Sequence, residues 1–586
     1  KKLAQANRDQ PSVTIQSRLR AERIRLALAR DRTDEALSEA GPPGIKSDGS
    51  TPEANLARLE AYLAGWRRAQ QAVDKASTVR WEKAAVEQVL AIQQADGAIA
   101  ARRAEATLAR SMAGANGSDN PRVLLLAAQS LYRAGQLDPA LTTYDRAAQR
   151  AAAVGDKSAY FDSHYAAGAL DMERQRYVQA TDRLRKLAVA LPQHERAAEA
   201  HLLAIHAAAQ AARQHDPPQL DAYQQLMREH LDSWPSGPTA SQVWWWLGRV
   251  EEHEHSWQEA IRALKNVKPD DANYAEAVAA IGRCYEAALD DLRRRGNANV
   301  LLARDAIAYM QSVVSRGRGS SPAQAAAARN AVLAMARIDL KESPSGGVPA
   351  ERILTQSLRN DPHAPADWRR QAQALLVPAL AAAGQADQAE SLLKQLPIGS
   401  ADETVALIEM LSAVKQRVTS DDKRAVARVE LAVIGDALAK PQGLSAEVIK
   451  NLARQRVETM VELGDREQAL AALRKLSSEY PRDGQLQEEL ARLLTSGGDN
   501  VSRQAAALQW REVANHCRPG SERWFRAHLA LARLQLELGN PSQARSTIRL
   551  VEASQPELGG PESKAQFRQL LAECDRADSR RNTGKK

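Results

Sequence analysis

Residues 244–267 read WWWLGRVEEHEHSWQEAIRALKNV. A run of large side chains ends at Leu247-Gly248, a polar turn follows, and Ala260 stands four residues before Leu264. Small residues at Gly248 and Ala260 allow two backbones to approach closely, because no large side chain holds them apart. The segment therefore predicts two helices that pack against each other as a pair.

The same order of Gly, polar turn, Ala and aliphatic residue recurs from Pro121 onward. It is clearest in five further stretches, at 131–148, 174–192, 380–397, 460–481 and 534–556. The 404 residues between the first and last central Ala span ten intervals of 37 to 46 residues, or about 40 each. A regular interval of this length is typical of a helical repeat array. The eleven central positions are Ala140, Ala180, Ala222, Ala260, Ala306, Ala350, Ala389, Ala427, Ala469, Ala506 and Ala544.

These stretches resemble the tetratricopeptide repeat (TPR) family, whose consensus has Trp, Leu and Gly in the first helix and Ala in the second. With Ala260 at the central Ala, Trp244, Leu247 and Gly248 occupy the Trp-Leu-Gly positions. The resemblance implies an all-α fold, a right-handed α-solenoid of ten to eleven helix pairs over residues 119–578. In this family the first helices line a concave groove. The interval is nearer 40 than the family's roughly 34 residues, so a HEAT-like or generic α-solenoid is the alternative.

Composition agrees with an all-α chain. Roughly a fifth of the 586 residues are Ala, aromatic residues make up 4%, and there are 3 Phe. Ala, Leu, Gln, Glu, Arg and Lys are the best helix formers, and strand-length runs of Val and Ile are almost absent. A core rich in Ala packs helices closely through small contacts.

The two ends of the chain fall outside the repeat pattern. Residues 1–118 are predicted to form a helical extension with one helix over about 13–40 and a long helix or hairpin over 53–113. In the second of these, the seam of a coiled coil is indicated by the spacing of Leu56, Leu59, Leu63, Trp66 and Val73. A lone helix would leave this stripe exposed, so we expect it to self-associate or to fold back on the first repeats. Residues 579–586 are predicted to be a basic disordered tail.

Catalytic and metal-binding motifs are lacking. There is no GxxxxGK[ST], GxGxxG after a strand, HExxH or GxSxG. Residues 251–255 (EEHEH) combine His and carboxylates, but His253 and His255 would point about 200° apart on a helix. A solvated polar helix end is therefore the preferred interpretation. The three cysteines, Cys284, Cys517 and Cys574, have no paired spacing. We expect no enzymatic activity, no cofactor and no metal.

The three consecutive tryptophans are the most unusual local feature. Three successive helical positions cover about 200° of a helix surface, so one environment cannot hold all three rings. In the TPR register Trp244 is a core residue, whereas Trp245, Trp246 and Arg249 fall on the groove face. Trp and Arg are enriched at binding hot spots, which makes these three residues candidates for contact with a protein partner. The alternative is that the rings pack on a neighbouring helix pair, around Tyr274 and Ala277.

Other units contribute residues of mixed polarity to the same predicted face. The unit of Ala180 contributes Tyr165, Met172 and Glu173, and the unit of Ala469 contributes Asn451, Arg454, Gln455 and Glu458. Among these, Tyr165, Arg454 and Glu458 are candidate protein-binding residues. Some family members grip a C-terminal carboxylate with Lys and Asn at defined groove positions, but here those positions carry residues such as Leu125, Gln129, Tyr165, Ala169, Trp245 and Arg249.

The function hypothesis is a non-enzymatic scaffold or adaptor that presents a concave groove to protein partners of unspecified identity. The net charge of +8 is spread over the whole chain with signs interspersed, so nucleic acid is not a favoured partner. A solenoid that binds nucleic acid or an anionic polymer, and an accessory subunit of an envelope enzyme complex, are the alternatives. No apolar run is long enough to span a membrane, and an oligomer through the N-terminal helix remains open. A cytoplasmic location is favoured, with the cell envelope as the alternative if a leader or anchor precedes Lys1.

Overall fold

The computed structural model describes residues 13–42, 50–112, 118–214, 220–297, 300–317, 321–343, 347–396 and 400–583. Over these ranges the chain forms 28 helices and no strand. The helices are α1 (Val13–Ala29), α2 (Thr33–Ala40), α3 (Pro52–Gln71), α4 (Lys75–Ala95), α5 (Gly97–Met112), α6 (Pro121–Arg133), α7 (Leu137–Val154), α8 (Lys157–Glu173), α9 (Tyr177–Ala190), α10 (Ala197–Ala212), α11 (Asp221–Ser233), α12 (Ala240–His253), α13 (Trp257–Leu264), α14 (Tyr274–Arg294), α15 (Val300–Gly317), α16 (Pro322–Glu342), α17 (Gly347–Asn360), α18 (Ala366–Ala382), α19 (Ala386–Gln395), α20 (Ala401–Lys415), α21 (Ser420–Ala439), α22 (Ala446–Leu463), α23 (Arg466–Glu479), α24 (Gly484–Thr495), α25 (Asn500–His516), α26 (Glu522–Glu537), α27 (Pro541–Ser554) and α28 (Pro561–Thr583).

The helices belong to two compact units, Lys1–Asp271 and Ala272–Lys586. Within each unit, helices that follow one another in the chain pack together as pairs and stack on the next pair. In the second unit, α14 contacts α16, α16 contacts α18, and α18 contacts α20, so first helices of successive pairs lie side by side. This is the helical repeat architecture that the sequence predicts, with eleven pairs from α6 to α27 and a closing helix α28.

The central Ala register is confirmed at ten of its eleven positions, each of which is at most 2% exposed. The exception is Ala222, the second residue of α11, which is exposed. Ala140, Ala180 and Ala260 are each the fourth residue of their helix, and the fourth residue of α11 is the buried Gln224. The sequence alignment was therefore two residues out of register in this unit, because a Gln replaces the expected Ala.

Close approach of the two helices within a pair explains the glycines at Gly168 and Gly248. A Cβ on Gly168 of α8 would lie 2.6 Å from Leu184 of α9, and one on Gly248 of α12 would lie 2.5 Å from Leu264 of α13. Real Cβ atoms do not approach side-chain carbons this closely, so the second helix occupies the space that a larger residue would need.

We expect Gly248→Ala to destabilise the first unit by about 1 kcal/mol. Overpacking a filled contact costs roughly 1–3 kcal/mol, while Ala gains up to about 1 kcal/mol of helix propensity over Gly. Chemical denaturation followed by circular dichroism measures the difference. Gly435, whose added Cβ would meet no atom within 4 Å, is the matched control, and Gly435→Ala should be neutral or stabilising. If Gly248→Ala were as stable as the unmodified chain, the close contact between α12 and α13 would be contradicted.

The N-terminal stripe packs within its own chain. Leu59, Leu63 and Trp66 are at most 3% exposed and share one core with Val123 and Leu126 of α6. The segment thus folds back on the first repeat, as one of the two alternatives predicted. The predicted long helix is a series of three helices, α3 to α5, with a first break at Val73, which is 78% exposed and has a φ of 57°. The predicted helix over 13–40 is likewise two helices, separated around Asp31 at a φ of 57°.

Two other features differ from expectation. A Pro in the interior of a helix normally kinks or ends it, but α18 continues through Pro378 to Ala382. The backbone of α28 is helical to Thr583, so the predicted tail begins inside a helix, and residues 584–586 lie outside the described residues. No described helix combines the length and apolar character needed to cross a membrane.

Candidate functional site

Helix α20 lies between two cavities in the second unit and contributes side chains to both. It begins where the Ser400 side chain accepts a hydrogen bond from the Glu403 backbone N–H at 3.2 Å. Asp402 and Glu403 in its first turn interact favourably with the helix dipole. One side of α20 faces a mostly apolar cavity next to α18, and the other faces a polar cavity next to α22.

The polar cavity has a volume of about 490 Å³. It contains all four side chains that the sequence placed on the groove face of the Ala469 unit, Arg454 and Glu458 among them. The residues that line it are Ser412, Lys415, Gln416, Lys423, Asn451, Arg454, Gln455, Glu458 and Glu462.

A fully buried carboxylate is hydrogen-bonded to side chains that line this cavity. Glu430 of α21 is 0% exposed. Its oxygens accept hydrogen bonds from Ser412 Oγ at 2.5 Å, Lys415 Nζ at 2.6 Å and Gln455 Nε2 at 2.8 Å. Thr459 Oγ1 donates a fourth, at 3.0 Å. Because a buried charge must be paired and hydrogen-bonded, this network fixes the positions of α20, α21 and α22 relative to one another.

Lys415 connects the buried network to the cavity. Its ammonium group lies 2.6 Å from Glu430 and 2.8 Å from Glu462, and the side chain is 11% exposed. Burial disfavours the charged form of Lys415, but the hydrogen bonds to Glu430 and Glu462 outweigh it and raise its pKa above the usual value. The lysine therefore stays charged at any pH near neutral.

The two candidate residues of α22 are partly engaged within the chain. Arg454 pairs with Glu489 of α24 at 2.5 Å and with Glu458 at 3.5 Å. The Glu458 side chain is 59% exposed. Arg454 is thus held by the next repeat, whereas Glu458 offers an accessible carboxylate to the cavity.

The apolar cavity has a volume of about 220 Å³ and lies between α16, α18 and α20. Its polar lining residues are Arg337, Arg370, Gln371 and Glu403, with Arg370 3.3 Å from Glu403. The remaining lining residues are apolar: Ala374, Leu375, Leu396, Ala406, Leu407 and Met410.

The repeat spacing also carries a signal for the apolar cavity. Gln371, Ala374 and Leu375 precede Ala389 by 18, 15 and 14 residues, the same offsets that separate Asn451, Arg454 and Gln455 from Ala469. Applying one register to both units would have placed these residues on the same face. Arg337 and Leu396, from a neighbouring helix and a loop, carry no such signal.

Asp339, one half-turn from Arg337 on α16, is buried with no side-chain hydrogen bond or ion pair to any described residue. Burial raises its pKa to about 6 from 3.8. The unfolded chain releases this proton near pH 3.8 and the folded chain near pH 6. Stability is therefore lost as the pH rises between these values.

Asp339→Asn should consequently stabilise the chain by about 1 kcal/mol at pH 8. A shift of one pKa unit corresponds to about 1.4 kcal/mol, and the buried amide recovers only part of the cost of burying the ionised carboxylate. The gain should vanish below pH 4, where both side chains are neutral. Urea denaturation at the two pH values measures it. An equal or lower stability of the variant at pH 8 would show that Asp339 has an acceptable partner.

In the first unit the rings of the three consecutive tryptophans have different surroundings. All are half-buried. Trp244 and Trp246 pack against a core cluster that includes Ile205, Leu226 and Val243. Trp245 is not part of that cluster, and the Arg249 guanidinium lies 5.5 Å from its ring centroid. Arg249 also pairs with Glu252.

Tyr165 of α8 lies against the first helix of the next pair. Its hydroxyl donates a hydrogen bond to Glu199 at 2.8 Å, and the Arg196 guanidinium lies 4.3 Å from its ring centroid. The ring is also stacked on Phe161 at a centroid distance of 6.0 Å. These contacts fix the orientation of Tyr165.

Within the described ranges, no group of three His, Cys, Asp or Glu side chains could hold a metal ion. In the EEHEH stretch, residues 253–255 are exposed, as expected of a solvated helix end, whereas Glu251 is buried. Glu251 is 4% exposed and pairs with Arg228 at 2.6 Å, and Glu254 accepts a hydrogen bond from Gln224 at 2.5 Å. The three cysteines are free thiols.

The family-model comparison agrees with the repeat register at two of its units. The tetratricopeptide repeat model matches residues 122–152 and 455–483. No curated protein matches the chain. The solved structure of Naa15/Naa10 bound to HypK-THB aligns over 97% of this chain and 79% of that chain, with 10% identity and a TM-score of 0.30. The chain is an all-α helical repeat protein, and the tetratricopeptide repeat model matches it at two places: the first helix pair after the N-terminal segment, and a segment that begins at Gln455 in the polar cavity.

Proposed function

We propose that this protein is a non-enzymatic scaffold that binds protein partners along the first helices of its repeats. The observation that carries the proposal is the pair of cavities on either side of α20. Each is lined in part by residues that the TPR register places on the groove face, such as Ala374 in one and Arg454 in the other. Repeat arrays bind through such extended surfaces, with contacts distributed over several units.

The chemistry of the cavities supports binding over catalysis. The carboxylates and cations near α20 and α22 pair with one another, as Lys415 does with Glu430 and Glu462. Catalytic groups are typically poised near the operating pH and face a reacting atom. The raised pKa of Lys415 keeps its amine protonated, so it is suited to hydrogen bonding and unsuited to nucleophilic attack.

Site-specific photo-cross-linking tests the proposal. A photoreactive residue would replace Asn451, which lines the polar cavity, or Ala471, which is exposed on the second helix of the same pair. Cross-linking in lysate, followed by mass spectrometry, should yield the same defined protein products from position 451 at low and moderate salt. Position 471 should not yield them.

Two outcomes would contradict the proposal. Identical products from both positions would mean that the groove face is not the binding surface. Products that disappear after nuclease treatment, or that fall steeply with salt, would favour the nucleic-acid alternative.

A further inference from the structure

One side of helix α1 exposes a stripe of aliphatic side chains. Ile24 and Ala27 are buried in the core of the first unit, where α1 packs against α2 and α3. On the opposite side of the helix, Ile15, Leu19 and Leu26 are 51%, 50% and 51% exposed. Their spacing of four and seven residues places them within about 40° of one another around the helix axis. We call the side of α1 that carries these three residues the outer face.

Such a stripe is unexpected at an end of the described helices. End repeats normally carry a polar outer face, because no further repeat covers them. The closing helix α28 follows this pattern, since none of its described side chains is an exposed large hydrophobic residue. The outer face of α1 does not, so it differs from an ordinary solvent-facing surface.

Arginines border the outer face on both sides. Residues 18–30 contain five Arg and one Glu. Viewed down the helix axis, Arg18 and Arg25 lie on one side of the aliphatic stripe, and Arg23 and Arg30 lie on the other. Arg18 and Arg30 are exposed and form no ion pair with any described residue.

The remaining charges near the outer face form weak pairs. Glu22, which lies beside the stripe, is 3.2 Å from Arg25. Arg25 is also 3.5 Å from Glu60, and Arg23 is 3.8 Å from Glu39. Each of these side chains is at least 32% exposed, and ion pairs in contact with water contribute little. The outer face therefore keeps a net positive charge.

The size and the charge of the outer face indicate its partner. A helix of 17 residues is about 26 Å long, so a face about 10 Å wide offers roughly 260 Å². A stable protein interface buries about 800 Å² on each partner, and a second copy of this chain would also bring like charges together. A lipid bilayer requires no such matched area. Aliphatic side chains enter its acyl boundary, and arginines are attracted to its anionic headgroups.

We propose that the outer face of α1 docks the first unit on the surface of a bilayer that contains anionic lipids. Helix α1 lies parallel to the membrane, and Ile15, Leu19 and Leu26 enter the boundary between headgroups and acyl chains. Arg18 and Arg30 pair with lipid phosphates on either side of the stripe. The docking surface lies on a different helix from the cavities around α20, so it adds to the scaffold function and does not depend on it.

Co-flotation of the full chain with vesicles tests the proposal. At about 0.1 M salt, the chain should float with phosphatidylcholine vesicles that contain about 30% phosphatidylglycerol, and it should not float with pure phosphatidylcholine. Leu19→Ser/Leu26→Ser should weaken binding at least about tenfold, because the aliphatic surface that enters the bilayer is lost. Arg18→Gln/Arg30→Gln should also weaken binding about tenfold and make it less sensitive to salt.

Matched variants make the same chemical changes elsewhere. Leu508→Ser/Leu550→Ser replaces two leucines that are 62% and 63% exposed on α25 and α27. Arg474→Gln/Arg511→Gln replaces two exposed arginines. Both variants should bind the anionic vesicles like the unmodified chain. Because every substituted side chain is exposed, circular dichroism melting should be unchanged in all four variants.

The inference is wrong if the chain floats equally with both kinds of vesicle or with neither, or if the α1 variants bind as their matched controls do. It is also wrong if sedimentation without lipid shows a dimer that Leu19→Ser/Leu26→Ser dissociates, because the outer face then contacts a second copy. None of these results bears on cross-linking from position 451, so the scaffold function can stand when the membrane contact fails.

Discussion

Glu430→Ala should destabilise the second unit by about 3 kcal/mol, the largest effect that we expect from a single substitution. The change removes four hydrogen bonds that hold α20, α21 and α22 together. It also leaves Lys415, 11% exposed, with Glu462 as its remaining close anion. Removing one partner of a buried ion pair typically costs about 3–5 kcal/mol. Because Glu462 still pairs with Lys415, we expect the lower end of that range.

Urea denaturation of the full chain, followed by circular dichroism, measures this loss. The double variant Glu430→Ala/Lys415→Met should recover part of it, because no unpaired charge is then left buried. Glu447→Ala is the matched control. Glu447 is 71% exposed and lies 3.7 Å from Lys450, so its loss should cost less than about 1 kcal/mol. Equal effects of the two single substitutions would show that the Glu430 network contributes little.

Trp246→Ala should destabilise the first unit by about 2 kcal/mol, whereas Trp245→Ala should cost well under half as much. Replacing a fully buried Trp by Ala costs roughly 3–5 kcal/mol, and Trp246 is a half-buried ring packed on the core that includes Leu226 and Val243. The Trp245 ring lies outside that core cluster, and the Arg249 guanidinium is 5.5 Å from its centroid, an interaction worth about 0.5–1 kcal/mol at an exposed site.

Differential scanning fluorimetry on the two single variants separates these roles, with a fall of several degrees expected for Trp246→Ala alone. Partner binding, measured once the cross-linked products are known, should be lost in Trp245→Ala without a change in melting temperature if Trp245 serves the interface. If both variants melt alike, or if Trp245→Ala melts lower, the two tryptophans do not have the separate roles that their packing indicates.

The sequence alone determined the repeat architecture, because the packing of a helix pair depends on local spacing. The second helix can touch the first where Gly168 or Gly248 faces a Leu, and the central Ala must be small for the same reason. Such requirements recur every 40 residues or so, and are readable without any long-range information. The misplaced Ala222 shows the limit of this approach, because a buried Gln can occupy the small-residue position when its amide finds a partner such as Glu254.

The tertiary structure decided which groove residues share a cavity. The sequence placed Arg454 and Glu458 on one helix face, but the buried Glu430 beneath them comes from a different helix, with nothing in its local sequence to mark it. Likewise, the repeat register places both Trp245 and Trp246 on the groove face, and only the packing of α12 on its neighbours brings Trp246 against a core cluster. Period and spacing fix how each helix pair forms, whereas the chemistry of a cavity depends on side chains from several helices whose juxtaposition no local pattern encodes.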